Sequence, residues 1–361
     1  MPTDSNRRLR HLVTVLVVIF VFAALKATKP VTMPLAFALF AVILFWPVYR
    51  WLNERVASGL ALLGTLVALL AVFAVFIGAI WVAVDEVVER APQYEEEVVQ
   101  LQTRVETFFG SLPTDGAEAR GDGGSESNGF SLSSSRVSSL AQSVASSVWS
   151  VLGYLILIVA LFALAVVEVP RWKHKLRSRF DDPVSGETLD VAEEVTGQVQ
   201  RFLIVQSLTS VVTGVLTGLF CWVLGVDFAF VWGLLALVLN FIPTLGSLVA
   251  IVPPTLFALF QYGIGWQPPV VLVGLGAIQL ILGSYVDPKL QGRYLELSAF
   301  VVLVAITFWG WLWGIPGAFI AVPITAALVL ASKHITGAEW VARLLTRDEE
   351  DVHSLPSEKG A

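Results

Sequence analysis

"NFIPTLGSLVAIVPP" occupies Asn240 to Pro254: three prolines and a glycine set inside one of the most apolar stretches of the chain. The run that holds it, Phe228–Tyr262, has 35 residues. As one straight helix it would be about 52 Å long, too long for a single crossing of a hydrocarbon core about 30 Å thick. Asn240 and Pro243 interrupt it, because proline removes an amide donor and its ring clashes with the preceding turn. A second apolar run, Ala299–Ala331, contains "GIPGAFIAVPITAAL" (Gly314–Leu328) and splits the same way at Gly314-Ile315-Pro316-Gly317, leaving arms of about 15 residues.

The two breaks are written in nearly the same words. Ile242-Pro243, Gly246, Ala250, Val252-Pro253 and Thr255 stand against Ile315-Pro316, Gly317, Ala321, Val322-Pro323 and Thr325. The glycine-to-proline spacing is 7 in the first and 6 in the second. A broken helix frees backbone N–H and C=O groups that lipid cannot satisfy, so each break must be buried in protein or line a water-filled cavity. Paired breaks in inverted halves are the sequence signature of a transporter site, whereas single proline kinks only shape packing.

The rest of the chain fits that setting. Of 361 residues, 56% are hydrophobic and 14% charged, against about 25% charged in a soluble domain. The apolar residues gather into runs near 20 long: His11–Ala27, Val31–Leu52, Ala57–Val84, Ser147–Val169, Phe202–Leu224 and Pro268–Val286, besides the two broken runs. The expected fold is an all-α polytopic membrane protein of about six full transmembrane helices plus two re-entrant hairpins in inverted arrangement. It divides into membrane helices at 1–84, an extracytoplasmic insertion at 85–146, a membrane core at 147–335 with hairpins 228–262 and 299–331, and a tail at 336–361. No Walker loop, dinucleotide glycine pattern, nucleophile elbow or HExxH spacing occurs in the sequence, so no catalytic residue, cofactor or metal is expected. The net charge of −6 gives no basis for nucleic-acid binding.

Orientation follows from the short basic loops. Arg7, Arg8 and Arg10, then Arg50 and Arg55, then Arg171 to Arg179 fall on one side, which places both termini in the cytoplasm of a plasma-membrane protein. Lys26 and Lys29 violate the rule. The loop with Lys289 and Arg293 joins the basic side only if each broken run returns to its own side, as a hairpin or as two full spans.

In the insertion, Tyr94, Val98, Leu101, Val105 and Phe108 form an amphipathic stripe. It pairs with a neighbouring subunit or with its own return helix. Ser210, Gly214 and Gly218 make a small-residue ridge for close helix contact. The polar and backbone-shaping candidates for a solute path are Gln206, Asn240, Pro243, Thr244, Gly246, Pro253, Gln279, Ser284, Pro288, Gly292, Gly314, Pro316, Gly317 and Pro323. Asp227, Asp287 and Glu296 lie at segment ends, as solvated interfacial carboxylates or as ion-coupling groups.

These residues carry a family resemblance. "VLNFIPTLGSLVAIVPP" (Val238–Pro254), "VDPKLQGRYLELSAFVVLVAITFWGWLWGIPGAFIAVPIT" (Val286–Thr325) and "RFLIVQSLTSVVTG" (Arg201–Gly214) closely resemble the signature stretches of the autoinducer-2 exporter family, the PerM-type permeases. The resemblance implies an oligomeric transporter exporting a small polar signal, with some members regarded as Na⁺(Li⁺)/H⁺ antiporters. Many members carry an acid and an asparagine shortly before the proline matching Pro288; here Leu282 and Ser284 stand there. Three functions therefore frame the structure: export of a small polar solute by alternating access, cation/proton antiport on the same scaffold, and a non-transporting membrane scaffold. The expected partners are the lipid bilayer, the solute with Na⁺ or H⁺, and further copies of the chain.

Overall fold

The computed structural model describes residues 20–94, 152–172, 183–242, 245–291 and 297–333, with isolated positions at 13, 16, 17, 175 and 345. Pro243, Thr244, Gly292 and Glu296 lie outside the described residues, as do the insertion beyond Tyr94 and nearly all of the C-terminal tail.

Every element among the described residues that is longer than a turn is helical. After a helical stretch at 20–27 come α1 (Lys29–Asn53), α2 (Ser58–Arg90), α3 (Leu152–Trp172), α4 (Pro183–Val223), α5 (Ala229–Leu239), α6 (Leu245–Tyr262), α7 (Gln267–Ile281), α8 (Asp287–Gln291), α9 (Ala299–Trp313) and α10 (Ile315–Lys333). Six of the described helices are long and apolar enough to cross a membrane: α1, α2, α3, the Val191–Val223 part of α4, α7 with its extension to Val286, and α10. This set differs from the expected one at both ends. The first run is described only at 13, 16, 17 and 20–27 and is not among the six, and α10, at 19 residues, exceeds the arm of about 15 read from sequence. The span read at Phe202–Leu224 is the C-terminal part of a longer continuous helix, α4, of 41 residues.

The helices pack side by side around shared apolar clusters. Val42 of α1, Leu69 of α2, and Phe162 and Val166 of α3 form one buried cluster. Val199, Phe202 and Leu203 of α4 meet Val322 of α10, with Phe40 and Ile43 of α1 against them. Thus α1, α3 and α10 run one way, and α2 and α4 run back toward the end of the bundle marked by Arg90.

α4 and α5 cross at glycines. A Cβ on Gly214 would lie 2.7 Å from Leu237 Cβ and 2.8 Å from the Gly233 carbonyl oxygen, and one on Gly218 3.4 Å from Gly233 Cα. The two backbones touch because neither side carries a side chain, the small-residue contact expected of membrane helices. The ridge read from sequence therefore serves a contact within the chain.

The two broken runs form helical pairs entered from opposite ends of the bundle. α5 starts beside the Arg90 end, and α6 returns to it, with Phe228 and Trp232 packing on Phe257 at 5.1 and 5.7 Å between ring centroids. α9 starts at the other end, where Leu297 and Val302 lie against the Val199 cluster, and its tip reaches Lys29 at the start of α1. Pro253 and Pro323, read as parts of the repeated break, sit inside continuous helices.

Candidate functional site

Each break is completed by a glycine seated on the preceding arm. In the first pair, a Cβ on Gly246 would land on the Leu239 carbonyl; in the second, a Cβ on Gly317 would land on the Trp309 carbonyl. Both glycines are buried. The second turn also needs Gly314, whose φ of +75° is strained for residues with a side chain. The matched glycines of the sequence thus do the same mechanical work, letting the chain reverse with its two arms in contact.

The first tip is polar. Gln206 of α4 donates from Nε2 to the Asn240 carbonyl at 2.6 Å, the last turn of α5. The Asn240 amide donates from Nδ2 to Ser210 Oγ at 3.0 Å. Gln206 is 4% exposed and Ser210 fully buried. This clasp uses side-chain groups to satisfy backbone that the break frees. It continues along α4 as a buried stripe of Gln206, Thr209, Ser210, Thr213 and Thr217. Of these, sequence reading singled out only Gln206 for its polarity. The signal was present as hydroxyls at steps of 3 and 4 in an apolar helix, but it was read as small-residue packing.

The second tip is aromatic. Trp309 donates from Nε1 to Thr325 Oγ1 at 3.1 Å across the arms, and Trp309 and Trp313 pack at 5.1 Å. Lys26 stacks on the Trp311 ring at 3.8 Å, and Lys29 Nζ comes within 3.6 Å of where a Gly314 Cβ would lie. Cations are favoured at a helix C-terminus, so the two lysines that broke the positive-inside pattern cover the end of α9.

The two tips meet. Phe241, directly after Asn240, stacks on Phe319 of α10 with centroids 5.8 Å apart and planes at 30°. Ile242 packs on the cluster that holds Met33, Trp309, Trp313 and Ile320. Within that cluster the Trp313 indole N–H is buried and finds no hydrogen-bond partner among the described residues. A buried orphan donor is uncommon. Here it stands beside the point where two interrupted helices converge.

The other candidates scatter. Gln279 is buried on the face of α7 that carries Val271 and Leu275 toward α4 and α6. Ser284 is exposed, within a π-helical stretch Leu282–Val286. Pro288 follows in α8. Asp227 lies at the Arg90 end, away from both tips. Arg90 Nη1 donates to its Oδ1 at 3.2 Å, the Tyr94 hydroxyl donates to Oδ2, and its amide donates to Gln261 at 3.0 Å. It is a tied structural carboxylate. Tyr94, read as the start of the insertion's stripe, packs on Phe228, Phe257 and Phe260 of its own chain. Asp287 differs: its Oδ1 is sealed from solvent and finds no hydrogen-bond partner among the described residues, and Thr209 faces the carboxylate.

The family profile described as AI-2E family transporter matches residues 14–337, both tips included. The chain belongs to the AI-2E transporter family. Among AI-2E relatives, it is 27% identical over 349 residues to the "AI-2 transport protein TqsA" of Escherichia coli (strain K12), covering 96% of this chain and 98% of that one. It is also 28% identical over 338 residues to the "Sodium-lithium/proton antiporter" of Halobacillus andaensis, covering 87% and 92%. The family and these relatives are transport proteins, not enzymes.

Proposed function

We propose that this AI-2E protein exports a small polar solute of the autoinducer-2 type by alternating access, with the solute passing where the two tips meet. The observation that carries the reading is the convergence of Phe241 and Phe319 beside the Gln206–Asn240–Ser210 clasp. Interrupted helices in a membrane are retained at solute sites because their freed backbone groups and helix ends offer hydrogen bonds and partial charges. The unpartnered Trp313 N–H adds a donor for a hydroxyl- or carbonyl-bearing solute. Aromatic faces at the crossing suit a neutral molecule with apolar C–H edges. In this reading both pairs are re-entrant, both termini are cytoplasmic, the insertion after Arg90 is extracytoplasmic, and the protein works as a homo-oligomer in the plasma membrane.

The test is flux of labelled autoinducer-2 from proteoliposomes. Asn240→Leu removes the side-chain half of the clasp, leaving the buried Ser210 hydroxyl without its donor while the Gln206 bond to the residue-240 carbonyl stays, and is expected to cut flux about tenfold, since a buried polar group left without its partner costs about 1–3 kcal/mol. Flux at the wild-type rate in a correctly assembled variant defeats the reading. Antiport of Na⁺ or Li⁺ against protons is the second reading, favoured by the sealed Asp287 oxygen and by the antiporter among the relatives. Sodium movement driven by a proton gradient, with no solute present, separates the two.

A further inference from the structure

Pro47 lies inside α1. It has no amide to give, so the Ile43 carbonyl, four residues back, loses its helical donor. A side chain of α4 supplies one instead. Gln200 donates from Nε2 to the Ile43 carbonyl oxygen, across 157 residues of sequence. Gln200 is half-buried. Beside it, Val199, Phe202 and Leu203 pack with Phe40, Ile43 and Leu44 of α1. A glutamine of one helix thus stands in for a backbone amide missing from another.

The same chemistry recurs farther along α4. Gln206 donates to the Asn240 carbonyl at the end of α5, where a helix terminus leaves its last carbonyls without amide partners. Residues 200 and 206 are separated by about 9 Å along the helix axis and about 240° around it. One face of α4 therefore grips α1 at its proline, and another grips the first hairpin at its tip. Apolar packing between α4 and α1 is non-directional and tolerates a small roll of one helix on the other. A hydrogen bond does not, because it weakens steeply as its angle closes.

We propose that Gln200 is a positioning residue: by tying α4 to the Pro47 turn of α1, it sets the rotation of α4 and so keeps Gln206 in reach of Asn240. Loss of the Gln200 bond lets α4 roll on α1 and loosens the first tip, about 9 Å farther along. Only the consequence for transport rests on the proposed function; the link from α1 through α4 to the tip does not.

The experiment is hydrogen exchange, read by mass spectrometry, on the full chain in lipid nanodiscs with no solute present. Gln200→Leu orphans the Ile43 carbonyl, and exchange is expected to rise about tenfold both around Pro47 and in the last turn of α5. Adding Pro47→Ala returns an amide to Ile43, so protection around position 47 recovers. The last turn of α5 stays fast, because α4 is still untied from α1. Unchanged exchange in α5 of Gln200→Leu overturns the proposal. So does recovery of α5 together with α1 in the double variant, which would make Gln200 a patch on α1 alone. Should Gln200→Leu fail to fold, Gln200→Asn, one methylene shorter, draws the donor back from Ile43, and wild-type exchange in its α5 overturns the proposal instead. In the flux assay, Gln200→Leu is expected to lose severalfold with no recovery on adding Pro47→Ala; wild-type flux in Gln200→Leu overturns the role in transport. Because the exchange assay holds no solute, a wild type inactive in flux leaves its result standing, and a failed exchange result leaves the wild-type flux standing.

Discussion

The two hairpins share a construction and differ in what fills it. Each has a short first arm, a longer second arm of 18 or 19 residues, and a buried glycine on the carbonyl of the arm before it. The first tip is held by polar groups reaching over from α4. The second is held by its own tryptophans and capped by lysines. Hydrogen bonds at the first tip can be exchanged for bonds to a solute at small net cost, since each is worth about 1 kcal/mol net. Packed indoles cannot be exchanged so cheaply. On the proposed transport reading, the first hairpin is the moving part and the second the fixed wall.

The sharpest way to break the comparison is at the shared glycines. Gly317→Ala and Gly246→Ala each place a methyl group on backbone, and the expected loss is about 3 kcal/mol or more of stability, read as a lost monodisperse peak and a lowered Tm. Equal tolerance at both would show that the seating is not what forms the turns. Next is Gly233→Leu, which must force α4 and α5 apart; destabilisation of about 2–3 kcal/mol is expected in chemical denaturation. Trp309→Phe removes only the bond to Thr325 and should cost about 1 kcal/mol, with flux kept, if the second hairpin is a wall. A fall in flux without a fall in stability would move the working part to that side. The smallest effect belongs to Arg90→Ala. Its ion pair with Asp227 is half exposed on the arginine side, 49% against 29%, so under about 1 kcal/mol is expected, measurable as a small Tm shift that shrinks in salt.

Much of this architecture was written in the sequence. Long apolar runs fixed the helices, because only a helix satisfies its own backbone in lipid. Asn240 and Gly314 marked both reversals, Asn240 as the polar residue at the end of α5 and Gly314 as the residue type that takes φ +75° without strain. The repeated proline after each glycine was less informative. Pro253 and Pro323 look like breaks by composition, yet each continues its helix, because neighbouring groups can absorb one missing donor. Partners distant in sequence were the hardest to foresee. Nothing local says that Gln206 reaches Asn240, 34 residues on, or that Asp227 ties to Arg90, 137 residues back. Asp287 looked like any carboxylate at a segment end; only the packing of α8 on α4 closes its oxygen off.

The glycine crossing of α4 and α5 has a mechanical corollary. With backbone against backbone there is no cushion of side chains to shear, so the two helices tilt as one stiff beam. From Gln206 that beam extends about 35 Å to Pro183 and about 26 Å to Val223, at 1.5 Å per residue. A nudge delivered at its far N-terminal end therefore arrives at the first tip as a displacement rather than being lost in bending.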